Sequence, residues 1–302
     1  MASNILVFED FEFPLDRPVN YYLLETGGYR VLVDTGTSQG LSRPGAPRAD
    51  LVIITHYHLD HSGGLIAIAQ WDDKPLVCAS EDTSRILYDL SLMEERMAVI
   101  ADAMGFRGLI EEANRLFEGM RRRYEAISKA AQELGLEPPE RCLGRLGGSY
   151  LECPGHSDDH ICVIIAGRAF VGDNIVGGPN VTLRDMYRYF ESMYRFLAVE
   201  TYNAVHPGHG PHELNRSGAA EAVVETMKSK RKRLAAVLTA IAGSGGWVGL
   251  DRVFRSVYRN LPNLMVAWVA ARSLLGYLTG LEADGVVEVD RSSSPWRVRV
   301  RL

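Results

Sequence analysis

Cysteine is scarce in this chain, four residues in 302, and none of Cys78, Cys142, Cys153 and Cys162 stands in a C-x-x-C pair. That spacing argues against a zinc knuckle and against a disulfide framework alike. Buried reduced thiols are the expectation. Apolar runs of membrane-spanning length are also missing, because the richest stretch, Leu264 to Leu281, is broken by Arg272. The opening MASNILVFEDFEFP has neither a basic segment nor a long apolar one, so no secretory signal is expected, and the cytoplasm is the expected compartment.

What remains is ordinary globular composition, 46% hydrophobic and 24% charged, in a chain long enough for two domains. The net charge of -5 conceals an asymmetry. From Lys228 to Leu302 there are 13 basic against 5 acidic residues, whereas the remainder has 20 against 33. A basic tail on an acidic body raises the question of a polyanionic partner.

Short apolar runs at Asn4–Phe8, Tyr21–Glu25 and Tyr29–Val33 predict strands, the last two joined by the Gly27-Gly28 turn. Leu51–Thr55 is continuous and β-branched, as a strand buried on both faces should be. A helix near Gly64–Gln70 and a strand at Leu76–Ala79 follow. Asp82 to Leu134 turns helical and predicts a two-helix hairpin broken at Gly105–Gly108, with Leu87, Leu90, Met93, Met97, Ile100 and Met104 as the apolar stripe of the first helix. Strands return at Ser149–Cys153, Ile161–Ile165, Ala169–Val171 and Asn203–Val205, with a helix at Leu183–Leu197 between. Arg216 to Ala242 reads as helical. Helices at Asp251–Asn260 and Leu264–Ala283, then strands at Val286–Asp290 and Trp296–Arg301, complete a winged-helix layout. The expected division is a catalytic domain over 1–215 with an insertion at about 82–134, a linker helix over 216–229, and a winged helix over 230–302.

All eight histidines fall in three short clusters, each at the end of an expected strand. The first is Thr55-His56-Tyr57-His58-Leu59-Asp60-His61. Alternate residues leave a strand on the same side, so His56 and His58 can share one metal while Asp60 and His61 address a second. Imidazole with carboxylate suits zinc, and iron or manganese would accept it. In Pro154-Gly155-His156-Ser157-Asp158-Asp159-His160, His156 is the third ligand expected for the first metal. His160 is expected to support a ligand or touch substrate, and Cys153 stands close by. Asp158 and Asp159 either orient neighbours or are solvated. Asp173 ends an apolar strand, where a carboxylate is costly unless something pairs with it; bridging two cations would be that pairing. In Val205-His206-Pro207-Gly208-His209-Gly210-Pro211-His212, glycines let the backbone of His209 approach closely, so it is the expected third ligand of the second metal, with His206 and His212 as neighbours. Asp34, in Val33-Asp34-Thr35-Gly36, either accepts hydrogen bonds that hold the first cluster or simply forms a turn.

The succession of Asp34, HxHxDH, His156, Asp173 and His209 resembles the metallo-β-lactamase superfamily. Asp173 resembles the bridging aspartate of the glyoxalase II-like hydrolases, so antibiotic hydrolysis is not expected. THxHxDHSGG (Thr55 to Gly64), PGHxDDH (Pro154 to His160), GDxxxG (Gly172 to Gly177) and PGHGP (Pro207 to Pro211) are most similar to the beta-lactamase-like protein 2 family, over nearly the whole chain. The resemblance implies an α+β fold, an αβ/βα sandwich of two mixed sheets flanked by helices, followed by a winged helix. Asp82 to Leu134 is longer than the family's connection, a departure that suits a lid or a homodimer contact.

The chemistry expected is hydrolysis by a hydroxide bridging two zinc ions about 3.5–4 Å apart, with Asp60 taking or relaying the proton. A small-molecule ester or thioester is the first substrate class, favoured by the acidic body and apolar insertion. Single-stranded RNA is the second, an activity the resembled family includes, with Arg252, Arg255, Arg259 and Arg272 as candidate phosphate contacts. A metal-stabilised regulatory protein without catalysis is the third.

Overall fold

The computed structural model describes residues 5–12, 17–43, 45–106, 110–177 and 181–301; Asn4 and part of the Gly105–Gly108 break lie outside them. Two sheets make the body. The first contains β1 (Ile5–Glu12), β2 (Arg17–Thr26), β3 (Tyr29–Val33), β4 (Leu51–Ile54), β5 (Leu76–Ala79) and β6 (Leu136–Glu137), in that order across the sheet. β1, β2 and β3 pair antiparallel, and β3, β4, β5 and β6 pair parallel. The second has β7 (Ser149–Glu152), β8 (Ile161–Ile165), β9 (Arg168–Gly172), β10 (Ala204–Pro207) and β11 (Leu214–Asn215), adjacent in chain order.

The period-two alternation of strands sorts the side chains into layers. Val31, Val33, Leu51 and Ile53 meet Ile161, Val163, Ile165 and Phe170 between the sheets. The alternate residues, Leu32, Val52, Ile54, Val77 and Ala79, face outward onto Ile68, Leu87, Ile127 and Ala131. On the other side Cys162, Ile164, Ala169, Val171 and Val205 pack against Tyr189, Met193, Phe196 and Val223. The result is helix, sheet, sheet, helix. Because β4 is covered on both faces, all four of its residues are buried, which accounts for its unbroken LVII.

The helix expected at Gly64–Gln70 is split and begins earlier, as α1 (Leu59–Ser62) and α2 (Leu65–Ile68). The insertion holds three helices instead of two: α3 (Glu81–Tyr88), α4 (Ser91–Met104) and α5 (Ile110–Leu134). Asp89 causes the extra break. Its carboxylate accepts from the Ser91 amide at 3.0 Å and hydroxyl at 2.6 Å, an alternative to helical bonding that starts a new helix. Next come α6 (Pro139–Leu146) and α7 (Met186–Leu197).

The C-terminal region has α8 (Arg216–Ala242), α9 (Leu250–Val257) and α10 (Leu264–Ala283), with a three-stranded antiparallel sheet of β12 (Val248–Gly249), β13 (Val287–Asp290) and β14 (Arg297–Val300). A linker ending at residue 229 does not appear, because α8 runs unbroken through that point and buries Lys230. Nor is the insertion a free arm. Ile100, Ala103 and Met104 of α4 share a core with Val237, Leu250, Trp268, Leu274 and Val298. Trp296 fastens it, donating its amide to the Ala103 carbonyl at 3.1 Å and its indole N–H to Asp102 at 3.0 Å. By length and composition α10 could cross a membrane, contrary to the expectation from its broken run, but 61% of its apolar window is buried inside the protein.

The cysteines also correct the sequence reading. Cys78 is bonded to Cys142 and Cys153 to Cys162, so none of the four is a free thiol. Strand pairing brings the second pair together, since Cys162 lies opposite Leu151 at the base of the loop that carries His156.

Candidate metal centre

The loops that follow β3, β4, β7, β9 and β10 meet at one edge of the sandwich. They bring all seven expected ligands together. Three groups emerge whose ligating atoms lie within 4.8 Å of one another: His56, His58 and His156; Asp60, His61 and His209; and His56, His61 and Asp173. Asp173 stands between the first two. Its Oδ2 is 3.4 Å from His156 Nε2, while Oδ1 is 3.4 Å from His209 Nε2 and 3.5 Å from His61 Nε2. Asp60 Oδ2 is 3.1 Å from His209 Nε2.

Most of the imidazoles are oriented by a bond from the ring nitrogen turned away from this space. His61 Nδ1 donates to Asp34 Oδ2 at 2.7 Å, His156 Nδ1 to the Thr182 carbonyl at 2.9 Å, and His209 Nδ1 to the Pro18 carbonyl at 2.5 Å. His56 Nδ1 lies 3.0 Å from Thr55 Oγ1, whose proton goes to Asp34. Each such bond fixes a tautomer that leaves Nε2 bare for a cation. Asp34 also accepts from the Thr55 amide at 2.8 Å, so it clamps the first cluster as expected and is more than a turn former. His58 differs: Nδ1 faces His56 Nε2 at 2.8 Å and His156 Nε2 at 2.9 Å, and Nε2 faces Arg272 at 2.9 Å.

Two further sequence expectations become definite. His160 is outside the three groups; its Nε2 accepts the Asp173 amide at 3.0 Å and so sets that carboxylate's backbone. Asp159 is buried, accepting from the Tyr57 amide and the Thr83 hydroxyl, both at 2.8 Å, which ties the first cluster to α3. Asp158 is an ion-pair partner of Arg96 and Arg184 at 3.2 and 2.8 Å. The close approach near His209 is real: a Cβ on Gly208 would sit 2.6 Å from the His61 ring and 3.1 Å from Asp173. His206 and His212 stay outside, bonded to each other through His206 Nδ1 and the His212 carbonyl.

The donor set fits divalent cations. His61 Nε2 and Asp173 Oδ1 are buried without a hydrogen-bond partner, an expensive arrangement for polar atoms unless an ion satisfies them. Electrostatics point the same way. Burial pushes His56, His58 and His160 well below the ordinary imidazole range and His156 down to about 3, with Arg272 adding to the shift at His58 and His156. Burial would also lower His61, but Asp60 and Asp34 beside it hold it well above that range. Asp60 and Asp173 resist the effect of burial, kept low by His61 and His209 and by His209 and His156, respectively.

A pH dependence follows for chelator-treated protein. Unfolded, these rings take a proton near pH 6.5, whereas the four lowered ones refuse it in the fold. The unfolded state then binds more protons, so stability falls as pH drops from about 6.5 toward 3, with His61 alone acting in the opposite sense. The melting temperature should decline across this window; a flat profile between about pH 7 and 5 would contradict neutral rings.

Sequence reading missed Arg272 as part of the site. It was grouped with surface arginines as a phosphate contact, yet α10 carries it to His58, the His156 carbonyl (3.3 Å) and Thr182 Oγ1 (2.6 Å). The signal was present: a lone charge within an apolar helix is costly without a polar destination.

A cluster of histidines and aspartates able to hold metal, at the edge of an αβ/βα sandwich, is the arrangement of a metal-dependent hydrolase. The chain belongs to the metallo-β-lactamase superfamily, whose family model matches residues 14–235. Among its relatives, Lactamase-like protein nscB of Trichophyton rubrum is 25% identical, covering 89% of this chain and 75% of the relative. Beta-lactamase-like protein 2 homolog of Drosophila melanogaster is 24% identical, covering 91% and 85%. Two solved structures share the fold at identities that speak to the fold alone. A metallo-beta-lactamase family protein from Thermus thermophilus has a TM-score of 0.70 and 18% identity over 98% of both chains. A Beta-lactamase domain protein from Burkholderia ambifaria has 0.71 and 17%, covering 100% of this chain and 93% of that one.

Proposed function

We propose that the protein hydrolyses an ester or thioester of a small molecule with two zinc ions, one on His56, His58 and His156 and the other on Asp60, His61 and His209, with Asp173 shared. Iron or manganese could serve in place of zinc. The observation that carries this reading is the cavity onto which the ligands open. It measures about 1080 Å³ and joins His58, His156, Asp60, Asp173 and His209 to an apolar wall of Leu92, Met93, Met97, Met265, Trp268 and Val269. An acyl chain fits such a wall, with its carbonyl at the metal edge.

When bound, the cations would supply Lewis acidity, lowering the pKa of water and polarising the substrate carbonyl. The chain's own residues do the rest. Asp60, ionised and held beside His209, accepts a hydrogen bond from the attacking water and relays its proton to the departing thiol or alcohol. Asp34 and the Thr182 and Pro18 carbonyls keep the rings aimed. The α4 and α10 side chains Met93, Met97, Met265 and Trp268 give the substrate an apolar surface beside the cluster.

Single-stranded RNA remains the second reading, supported by the exposure of Arg252 and Arg255 on α9 and of Arg259 just after it. Arg255 already pairs with Asp251, and Arg259 donates to the Ser256 carbonyl at 3.3 Å, so their free charge is reduced. We expect zinc-reconstituted protein to turn over a medium-chain acyl thioester, with single-stranded RNA left intact. RNA cleavage that weakens when these three arginines are changed to glutamine, with thioesters untouched, would overturn the first reading in favour of the second.

A further inference from the structure

A half-buried arginine without a carboxylate partner lines this cavity, beside a metal ligand. Arg272 makes hydrogen bonds to neutral acceptors only, and its buried Nε has no partner. Paying the desolvation cost of a guanidinium without an opposing charge is unusual inside a protein. Moreover, when His58 ligates a cation through Nδ1, its Nε2 carries the ring proton and ceases to accept, which leaves Arg272 still less satisfied.

Its surroundings are cationic too. Arg184 lines the same cavity and feels the charges of Arg96 and Arg272; burial and both guanidinium groups lower its affinity for its proton, with Asp158 opposing. Asp158 serves three arginines at once, Arg96 at 3.2 Å, Arg184 at 2.8 Å and Arg188 at 3.6 Å. Even so, Arg96 NH1 is buried and unpartnered. Guanidinium is the group that matches carboxylate and phosphate oxygens in pairs.

We propose that Arg272, with Arg184 and Arg96 beside it, reads an anionic group, carboxylate or phosphate, on the substrate next to the bond that is cut. This rests on the ester and thioester reading and narrows it: the substrate is an amphiphile, its apolar chain along α4 and α10 and its anion on the arginine wall. The anion can belong to the acyl part or to the leaving thiol. Because α10 supplies Arg272, the C-terminal region completes the site.

The test uses zinc-loaded full-length protein, wild type and Arg272→Met, on matched thioesters. One arm compares glutaryl with pentanoyl thioesters of mercaptoethanol; the other compares pentanoyl thioesters of mercaptoethyl phosphate and mercaptoethanol. Wild type should prefer the anionic member of one arm, and the arm identifies the source. In Arg272→Met the ratio of anionic to neutral kcat/KM should fall at least about tenfold, the scale of a lost charge-assisted pair. Absence of preference in both arms, or an equal loss on anionic and neutral substrates, overturns the proposal. Calorimetry on chelator-treated protein adds a readout without turnover. Glutarate monomethyl ester or mercaptoethyl phosphate should bind wild type and bind Arg272→Met at least about tenfold more weakly, while Arg272→Lys retains part of the affinity. If wild type cleaves no thioester yet binds these anions through Arg272, the thioesterase reading fails alone. If no anion binds, the arginine proposal fails.

Discussion

Replacing Asp173 with alanine is expected to lower kcat/KM for thioester hydrolysis by about a thousandfold or more and to reduce bound zinc below two per chain. The size of the effect comes from where the carboxylate stands. It is buried, its two oxygens face different histidine groups, and Oδ1 has no protein hydrogen bond. Asparagine is the sharper replacement: it keeps the volume and one oxygen but loses the charge that opposes two cations. Metal content by plasma emission, measured beside the kinetics, separates loss of an ion from loss of fold. Retention of both zinc ions with near wild-type turnover would remove Asp173 from the centre.

The second large effect belongs to a residue that touches no expected cation. Asp34→Ala should weaken zinc binding at the Asp60, His61 and His209 group by about 10- to 100-fold, as loss of an orienting carboxylate does elsewhere. Asp34 accepts from His61 Nδ1, the Thr55 amide and the Thr55 hydroxyl, and Thr55 in turn supports His56. It sits at φ 57, in the left-handed region that non-glycine residues rarely occupy. Competition with a chromogenic chelator would measure the loss, and Asp34→Asn, which keeps an acceptor oxygen, should recover part of it. Equal affinities in wild type and Asp34→Ala would reduce this residue to a turn former.

The side chains that converge at this edge were legible because they stand in short stretches of the sequence. His56 and His58 follow a strand whose four residues are all buried, so its end and the direction of its side chains could be inferred. Asp173 betrayed itself as a charge at the end of an apolar strand. Arg272 sent the same signal from the middle of α10, but its destination depends on packing between α4 and the C-terminal core, which no local pattern encodes. The disulfides were hidden for a related reason. Cys78 and Cys142 are 64 residues apart in sequence, and only the fold brings their Cα atoms to 6.2 Å. The extent of α8 was legible as a helix from Arg216 to Ala242, but the expected boundary at residue 229 falls inside it, where Lys230 turns inward onto the Val181 carbonyl.

Diffraction from zinc-soaked crystals, recorded on both sides of the zinc absorption edge, tests the central claim most directly. The account predicts two anomalous peaks, one within bonding distance of His56 Nε2, His58 Nδ1 and His156 Nε2, the other of Asp60, His61 Nε2 and His209 Nε2, with Asp173 reaching both. Peaks elsewhere, or none at this edge of the sandwich, would contradict it.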